Sequence, residues 1–147
     1  MNDKFYIFES IILIAQKWQD QADRIVEDKI GITIRQWMLL IMIQEEFRDH
    51  LPTITEAAEK FGTSRQNAKR LAIELQKKGF LLLANDPEDH RIYRIALTGK
   101  HRKFMEGEGN ILWQKQFIDH FFSQMDEEDL YFLKQGITKI VTEIHEV

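Results

Sequence analysis

The stretch of sequence that decides the fold runs from Thr53 to Phe80 and reads TITEAAEKFGTSRQNAKRLAIELQKKGF. Its apolar residues, at helical spacing, predict a short helix over 54–61 and a longer one over 64–78. Gly62 and Gly79 follow these two helices, where a C-terminal cap in the left-handed conformation is expected. A short helix, a glycine turn and a second helix together indicate a helix-turn-helix.

The second of these helices presents polar side chains opposite its apolar face. Ala68, Leu71 and Leu75 share the apolar face, so the polar residues between them point away from the core. Asn and Gln can pair with adenine edges and Arg with guanine edges, while hydroxyl groups and Lys at a helix start suit phosphates. An ordinary solvated surface helix is the alternative. The residues expected to contact DNA here are Thr63, Ser64, Arg65, Gln66, Asn67, Lys69 and Arg70.

A β-hairpin is predicted directly after this helix. Its strands cover 80–84 and 91–97, and the turn between them is rich in turn-forming residues. Arg91 stands beside this protruding turn, where it would suit a narrow, electronegative minor groove. Asp89 could hold the turn through backbone amides or orient an arginine. The alternative interpretation is an ordinary surface turn with a solvated arginine and no role in binding DNA.

The rest of the chain is predicted to be helical. A long helix over 5–29 has an apolar face too wide for one core contact, which makes a second subunit a candidate partner. Further helices are expected over 34–47, over 98–123 with a bend near Gly107, and from Asp126 onward. The fold class is therefore mainly α with a small β-hairpin, a winged helix-turn-helix flanked by long N- and C-terminal dimerisation helices.

The predicted helices share a start signal. Three of them begin with a Thr that is followed three residues later by Gln or Glu, the pattern of a capping box. The pairs are Thr33 and Gln36, Thr53 and Glu56, and Thr63 and Gln66, and Thr98 is the expected cap of the helix over 98–123.

Charge is unevenly distributed over the 147 residues, whose formal net charge is −4. Residues 60–103, here called the basic island, hold eleven Lys and Arg against four Asp and Glu, a net charge of +7. The rest of the chain therefore carries −11. A basic region of this kind favours a nucleic-acid partner, and chance clustering on a solvated surface is the alternative.

Composition disfavours several other classes of protein. The chain has no cysteine, which excludes disulfides and thiolate metal sites. Its five histidines are scattered without an i, i+4 pair, so no metal or cofactor is expected. No nucleophile stands beside a base, so the protein is not expected to be an enzyme. Glu9 and Lys17 interrupt the apolar N-terminus, so we expect neither a signal peptide nor a membrane span, and a cytoplasmic location.

These features occur in the order found in one family. The elements are Glu56-Ala57-Ala58 through Gly62, the helix ending in Leu75-Gln76-Lys77-Lys78-Gly79-Phe80, the Asp86-Pro87 turn, Asp89-His90-Arg91 and Leu97-Thr98. Together they resemble the MarR family of transcriptional regulators. Two positions depart from the family pattern. His90 stands where a further basic residue is common, and His101 stands where a glycine usually follows the Leu-Thr pair.

The resemblance implies a sequence-specific regulator that binds double-stranded DNA as a homodimer on a pseudo-palindromic operator. Family members are often repressors relieved by a small molecule. Residues 1–30 and 104–147 would form the helical dimerisation region, and 31–103 the DNA-binding region. An effector pocket between the dimerisation helices and the DNA-binding lobe would involve three tryptophans, for which core packing is the alternative. They are Trp18, Trp37 and Trp113.

Two functions of other classes fit the same residues. A winged helix can use its third helix or its wing as a protein-interaction surface without reading DNA. It can also bind DNA as a non-specific architectural protein. A protein-interaction module would show little binding to DNA at any salt concentration, whereas the affinity of a DNA binder falls steeply with salt. An architectural protein would bind unrelated duplexes about equally, whereas a regulator prefers one duplex.

Overall fold

A computed structural model describes residues 2–144 of the chain. These residues form seven helices and one two-stranded antiparallel sheet, which confirms the predicted mainly α class with a small β-hairpin. The elements are α1 (Asp3–Ile30), α2 (Ile34–Glu46), α3 (Ile54–Phe61), α4 (Arg65–Lys77), β1 (Leu81–Asn85), β2 (Tyr93–Leu97), α5 (Gly99–Glu106), α6 (Glu108–Phe121) and α7 (Glu127–Ile144).

The chain divides into two compact units, Met1–Gly107 and Glu108–Val147. The first unit contains α1 to α5 and the hairpin, and the second contains α6 and α7. Met1 and the expected helix residues 145–147 lie outside the described residues.

The core of the first unit is built from one face of each of its helices. On α3 and α4 this face is rich in alanine, and small side chains let two helices approach closely. The hairpin closes the core through the inward side chains of its two strands. The buried residues of this core include Val26, Ile32, Leu39, Leu40, Ile43, Ala57, Ala58, Ala68, Leu71, Ala72, Leu75, Phe80, Leu81 and Ile95.

Two of the three predicted capping boxes are confirmed, at the starts of α2 and α3. The third, with Thr63 as the cap, is wrong. Ser64 caps α4 instead, and its hydroxyl accepts a hydrogen bond of 3.1 Å from the amide of Asn67. The helix begins one residue later than predicted because Thr63 still belongs to the end of α3, where its amide donates to the carbonyl of Ala58.

The hairpin also begins one residue later than predicted. Phe80 is not in a strand, because its amide donates to the carbonyl of Leu75 and closes the C-terminal end of α4. The preceding Gly79 has φ of 83°, a left-handed conformation that suits glycine. The second strand starts at Tyr93, so Arg91 lies in the turn. The strands pair in a register that places Leu81 opposite Leu97.

The single helix predicted over 98–123 is wrong, because the backbone is interrupted at Gly107. This residue has φ of −63° and ψ of 132°, an extended conformation that cannot continue a helix, so α5 and α6 are separate. Thr98 precedes α5, but its hydroxyl does not cap the helix. It donates instead to the carbonyl of Gly79 over 2.6 Å, and thereby fastens the end of β2 to the end of α4.

His101 on α5 is buried, and its side chain meets a single polar partner among the described contacts. The ring atom Nε2 lies 2.6 Å from Oε1 of Gln44 on α2. Burial lowers the pKa of His101, because the charged imidazolium would lose its hydration. The position that departs from the family pattern therefore holds a neutral histidine that joins α5 to α2.

This histidine should make the free energy of unfolding fall below neutral pH. The unfolded chain binds a proton on His101 at a pKa near 6.5, whereas the folded chain resists it. The contribution of neutral His101 to the free energy of unfolding is therefore fully present above pH 6.5. It is lost as the pH falls through 6.5 towards the lower pKa of the folded state. Chemical denaturation at pH 7.5 and 5.5 should show a smaller drop for His101→Gln than for the wild type. Equal drops in the two proteins would show that His101 is not the group responsible.

Candidate nucleic-acid interface

The N-terminal half of α4 carries an interlinked set of polar side chains. Asn67 donates from Nδ2 to the hydroxyl of Thr63 over 2.8 Å. Its Oδ1 accepts from Nη2 of Arg70 over 2.8 Å. The amide of Asn67 is meanwhile bonded to Ser64, the cap of the helix. Residues at i and i+3 or i+4 are neighbours on a helix, and this spacing brings the three side chains together.

All seven residues predicted to contact DNA in this segment lie at the start of α4 or on its outer face. Ser64, Arg65, Gln66, Lys69 and Arg70 are exposed, and Thr63 and Asn67 are half-buried. The opposite face of the helix is buried in the core. The helix therefore presents amide, guanidinium, ammonium and hydroxyl groups to solvent on one side, which are the groups that pair with base edges and phosphates.

Arg70 has a second partner, which is not among the residues predicted to contact DNA. Its Nη1 donates to Oε1 of Glu74 over 3.1 Å. The other carboxylate oxygen of Glu74 accepts from Nε2 of Gln36 over 2.7 Å. The i, i+4 spacing of Arg70 and Glu74 could have indicated the first contact. The hydrogen bond between Gln36 and Glu74 joins residues 38 positions apart in the sequence. No local sequence pattern indicates such a contact.

The tip of the hairpin, here called the wing, is organised around two arginine–carboxylate pairs. At the tip, Arg91 donates from Nε and Nη2 to the two oxygens of Asp89, each over 3.1 Å. The amide of Arg91 also donates to Asp89 over 3.0 Å. These hydrogen bonds from Arg91 lower the pKa of Asp89. The Arg91 side chain is 90% exposed, so Asp89 orients a guanidinium that projects into solvent.

The second pair lies at the base of the wing. Asp86 accepts from Nε of Arg94 over 2.6 Å, and from the amides of Glu88 and Asp89 over 2.8 and 3.2 Å. The hydrogen bond from Arg94 is the main reason that the pKa of Asp86 is lowered. Arg94 also donates to the carbonyl of Leu51 over 2.7 Å, ahead of α3. The bracing of the turn that is expected of Asp89 is shared by Asp86.

A groove of about 250 Å³ runs between the wing and the helix-turn-helix. Lys69 on α4 extends over the ring of Tyr93 on β2, with Nζ 6.0 Å from the ring centre. This cation–π contact favours a position for the ammonium between α4 and the wing. Tyr93 lies within the predicted second strand, but the sequence pattern assigns it no role at the site. The groove is lined by Thr53, Ile54, Thr55, Arg65, Ile92 and Tyr93.

The three tryptophans of the predicted effector pocket lie in different surroundings. Trp37 is buried in the first unit and meets the ring of Phe104 edge-on, with centres 6.0 Å apart. Trp18 is half-buried on α1. Trp113, in the second unit, stacks on Phe117 with centres 5.4 Å apart. The effector pocket stays a prediction.

Within residues 2–144, no group of three or more His, Asp or Glu side chains is arranged to hold a metal ion. None of the helices in this part of the chain is both long and apolar enough to cross a membrane.

A helix-turn-helix whose second helix is followed by a packed β-hairpin defines a winged helix-turn-helix protein. Residues 30–92 match the model of the MarR family, and this segment belongs to that family. The predicted resemblance is confirmed.

Comparison with known proteins finds further similar chains. Transcriptional repressor MprA of Escherichia coli (strain K12) is 32% identical over 75 residues, which cover 51% of this chain and 42% of MprA. The aligned stretch thus spans less than half the length of this curated relative. Among solved structures, the S. aureus MepR–DNA complex has a TM-score of 0.75 at 23% identity, covering 97% of this chain and 99% of that one.

A second solved structure with DNA is also similar. Sco3205, a MarR family transcriptional regulator from Streptomyces coelicolor in complex with DNA, has a TM-score of 0.77 at 20% identity. The similarity covers 97% of this chain and 92% of that one. At such identities the solved structures establish the fold of the chain.

Proposed function

We propose that this protein is a sequence-specific transcriptional regulator that binds double-stranded DNA as a homodimer. The observation that carries the proposal is the outer face of α4, where exposed Gln66, Lys69 and Arg70 stand beside a wing that projects Arg91. The family match and the relatives support it, since MprA is described as a repressor and MepR and Sco3205 were solved with DNA.

Base reading would fall to the outer face of α4. Gln66 and Arg70 are exposed and lie one helical turn apart, so both can enter one major groove with the helix. Asn67 holds Thr63 and Arg70, and its amide group stands near the helix start, where base edges are contacted first. Thr63, Ser64, Arg65 and Lys69 would contact the phosphates on either side.

The wing would contact the neighbouring minor groove. Arg91 is nearly fully exposed, and its guanidinium is held through Nε and Nη2 by Asp89. A single arginine can enter a narrow minor groove, whose negative potential is strongest at A·T-rich sequence. The brace of Asp86 and Arg94 would keep the wing at a fixed distance from the segment that leads into α3.

The apolar faces that remain exposed support a homodimer. Every described residue of α7 is exposed, although the helix carries a stripe of large apolar side chains. Exposed apolar patches of this size mark interaction surfaces, and a two-fold axis would let each face meet its own copy. The exposed apolar residues include Phe5, Phe8, Ile11, Ile12, Ile111, Leu112, Ile118, Leu130, Leu133, Ile137, Ile140, Val141 and Ile144.

In this arrangement, dimerisation and DNA binding belong to different parts of the chain. Residues 1–30 and 104–147 would dimerise, and residues 31–103 would bind DNA. A small-molecule effector that relieves repression would bind between the two parts. The aromatic groups of Trp18, Trp37 and Trp113 are the candidates for its apolar surface. The protein would then act as a ligand-responsive repressor on a pseudo-palindromic operator, working in the cytoplasm.

The first prediction concerns assembly. Sedimentation at micromolar concentration should give about 35 kDa, twice the 17.5 kDa of one chain. Ile137→Asp should shift the protein towards a monomer, because a carboxylate would be buried in the apolar face of α7. Gln135→Asp adds the same charge at a polar position of that helix and is the control. A monomeric wild type would exclude the two-half-site arrangement.

The second prediction concerns base reading. A duplex selected by the wild-type protein from a random library serves as the cognate site. Gln66→Ala, Asn67→Ala or Arg70→Ala should each weaken binding to it by roughly 1–3 kcal/mol and relax the preference at one position. Lys69→Ala should weaken binding to all duplexes alike and lower the salt dependence. If the four variants behave identically on the selected and on random duplexes, α4 does not read bases.

The third prediction concerns the wing. Arg91→Ala should weaken binding strongly and abolish any preference for A·T-rich flanks. Asp89→Ala should also weaken binding, because it frees the guanidinium that Asp89 orients. A model based on charge alone predicts tighter binding when an acid is removed. Glu88→Ala, which removes an adjacent exposed acid, is the matched control. Fluorescence anisotropy on A·T-flanked and G·C-flanked duplexes would decide, and tighter binding by Asp89→Ala would refute the role given to Asp89.

A further inference from the structure

We propose that Gln36 and Glu74 are positioning residues for base recognition, and that they fix the Arg70–Asn67 pair in the orientation in which it meets DNA. The proposal rests on the proposed DNA-binding function and adds to it two residues that need not touch DNA. It also assigns a purpose to an acidic side chain on the helix that would enter the groove.

The carboxylate of Glu74 is held between two donors. Oε1 accepts from Arg70 over 3.1 Å, and Oε2 accepts from Gln36 over 2.7 Å. Each oxygen therefore has a defined partner, so the carboxylate cannot rotate without breaking one of the two hydrogen bonds. An isolated i, i+4 ion pair has no such restraint, because its long side chains move together in solvent.

Gln36 is a rigid anchor for this carboxylate. Its side chain is only 2% exposed. Its Oε1 accepts from the amide of Thr33 over 3.0 Å in the capping box of α2, and lies 3.4 Å from Nζ of Lys78. Because the oxygen is committed to the backbone of its own helix, the amide nitrogen has a fixed direction towards Glu74. The next residue after Thr33 is tied to α1, since the amide of Ile34 donates to Asp23 over 2.8 Å.

The restraint passes through Arg70 to the start of α4. Nη1 of Arg70 bonds Glu74 and Nη2 bonds Asn67. Asn67 in turn bonds Thr63. A guanidinium has five N–H donors, so two such bonds leave enough donors for a guanine edge. The arginine can therefore remain held while it reads a base.

The contact between Glu74 and Arg70 is expected to matter more for the position of the arginine than for the stability of the fold. An exposed Arg–Glu pair at i, i+4 contributes little to stability, because solvent screens the two charges. A small displacement of a recognition side chain, by contrast, costs much of a bidentate contact. Loss of Glu74 should consequently affect discrimination between bases far more than it affects folding.

The test uses the full chain and the duplex selected from a random library by the wild-type protein, with single base-pair substitutions of that duplex. Glu74→Ala should lower discrimination about fivefold or more at the base pair where Arg70→Ala also loses it, the lower end of what one bidentate contact provides. Affinity for random duplexes should stay equal or rise, because an acid has been removed. Glu74→Gln keeps the side-chain length and one acceptor, so its loss should be intermediate.

Glu59→Ala is the matched control, since Glu59 is an exposed acid on α3 within the same helix-turn-helix. It should leave discrimination unchanged. Gln36→Ala, checked for folding by circular dichroism, should lose discrimination at the same base pair. The Gln36→Ala, Glu74→Ala double variant should lose no more than the larger single loss, because both changes break one chain of contacts.

Two results are kept apart by this design. If the wild type selects no duplex, the proposed function fails. If the wild type discriminates, and Glu74→Ala discriminates equally well or changes binding as Glu59→Ala does, the positioning role alone is refuted. Additive losses in the double variant would likewise refute the link between Gln36 and Glu74.

Discussion

The burial of one face of α4 is the constraint on which the rest of the structure depends. Ala68, Leu71, Ala72 and Leu75 are at most 3% exposed and pack among α3, α2 and β1. Once this stripe is buried, helical geometry fixes which residues face solvent. The polar residues of the first two turns have no other direction available. The same burial draws β1 against α4, which places the wing beside the exposed face.

The polar contacts around α4 convert this coarse orientation into a defined surface. Burial of an apolar stripe fixes the rotation of a helix, but it leaves long polar side chains free to move. Here Arg70 donates to both Asn67 and Glu74, and Glu74 also accepts from buried Gln36. At the wing, Asp89 does the same for Arg91. Side chains restrained before binding lose less conformational entropy when a partner is met.

Much of this architecture could be predicted from local signals. The bounds of α3 were predicted without error, because Thr53 and Glu56 form a capping box and Gly62 takes the left-handed conformation. The errors arose where two local signals compete. Thr63 resembles a helix cap but serves the end of α3, and Gly107 was expected to bend a helix that it interrupts. The outcome in each case depends on backbone hydrogen bonds that a sequence pattern does not show.

The candidate site likewise contains residues that local sequence signals indicate and supporting contacts that they do not. Residue type and spacing are enough to nominate residues of α4 and the wing, because DNA contacts require donors on the free face of a helix, and their contact with DNA stays a prediction. The supporting contacts could not be found in this way, since these join residues distant in sequence, such as Gln36 with Glu74 or Arg94 with the carbonyl of Leu51. Contacts of this kind follow from the tertiary fold.

The acidic residues of the basic island lower its positive charge but hold three of its arginines in place. Glu74, Asp86 and Asp89 each bond an arginine, namely Arg70, Arg94 and Arg91. Counted as charges, these acids cancel three of the eleven cations of the island. Counted as hydrogen-bond acceptors, they determine where three guanidinium groups lie. An arginine that reads a base or enters a groove needs a defined position more than it needs an additional unit of long-range field, which salt screens within about 10 Å. Under the proposed function, the three acids would weaken the attraction of the island for phosphate and would fix the geometry that base recognition requires.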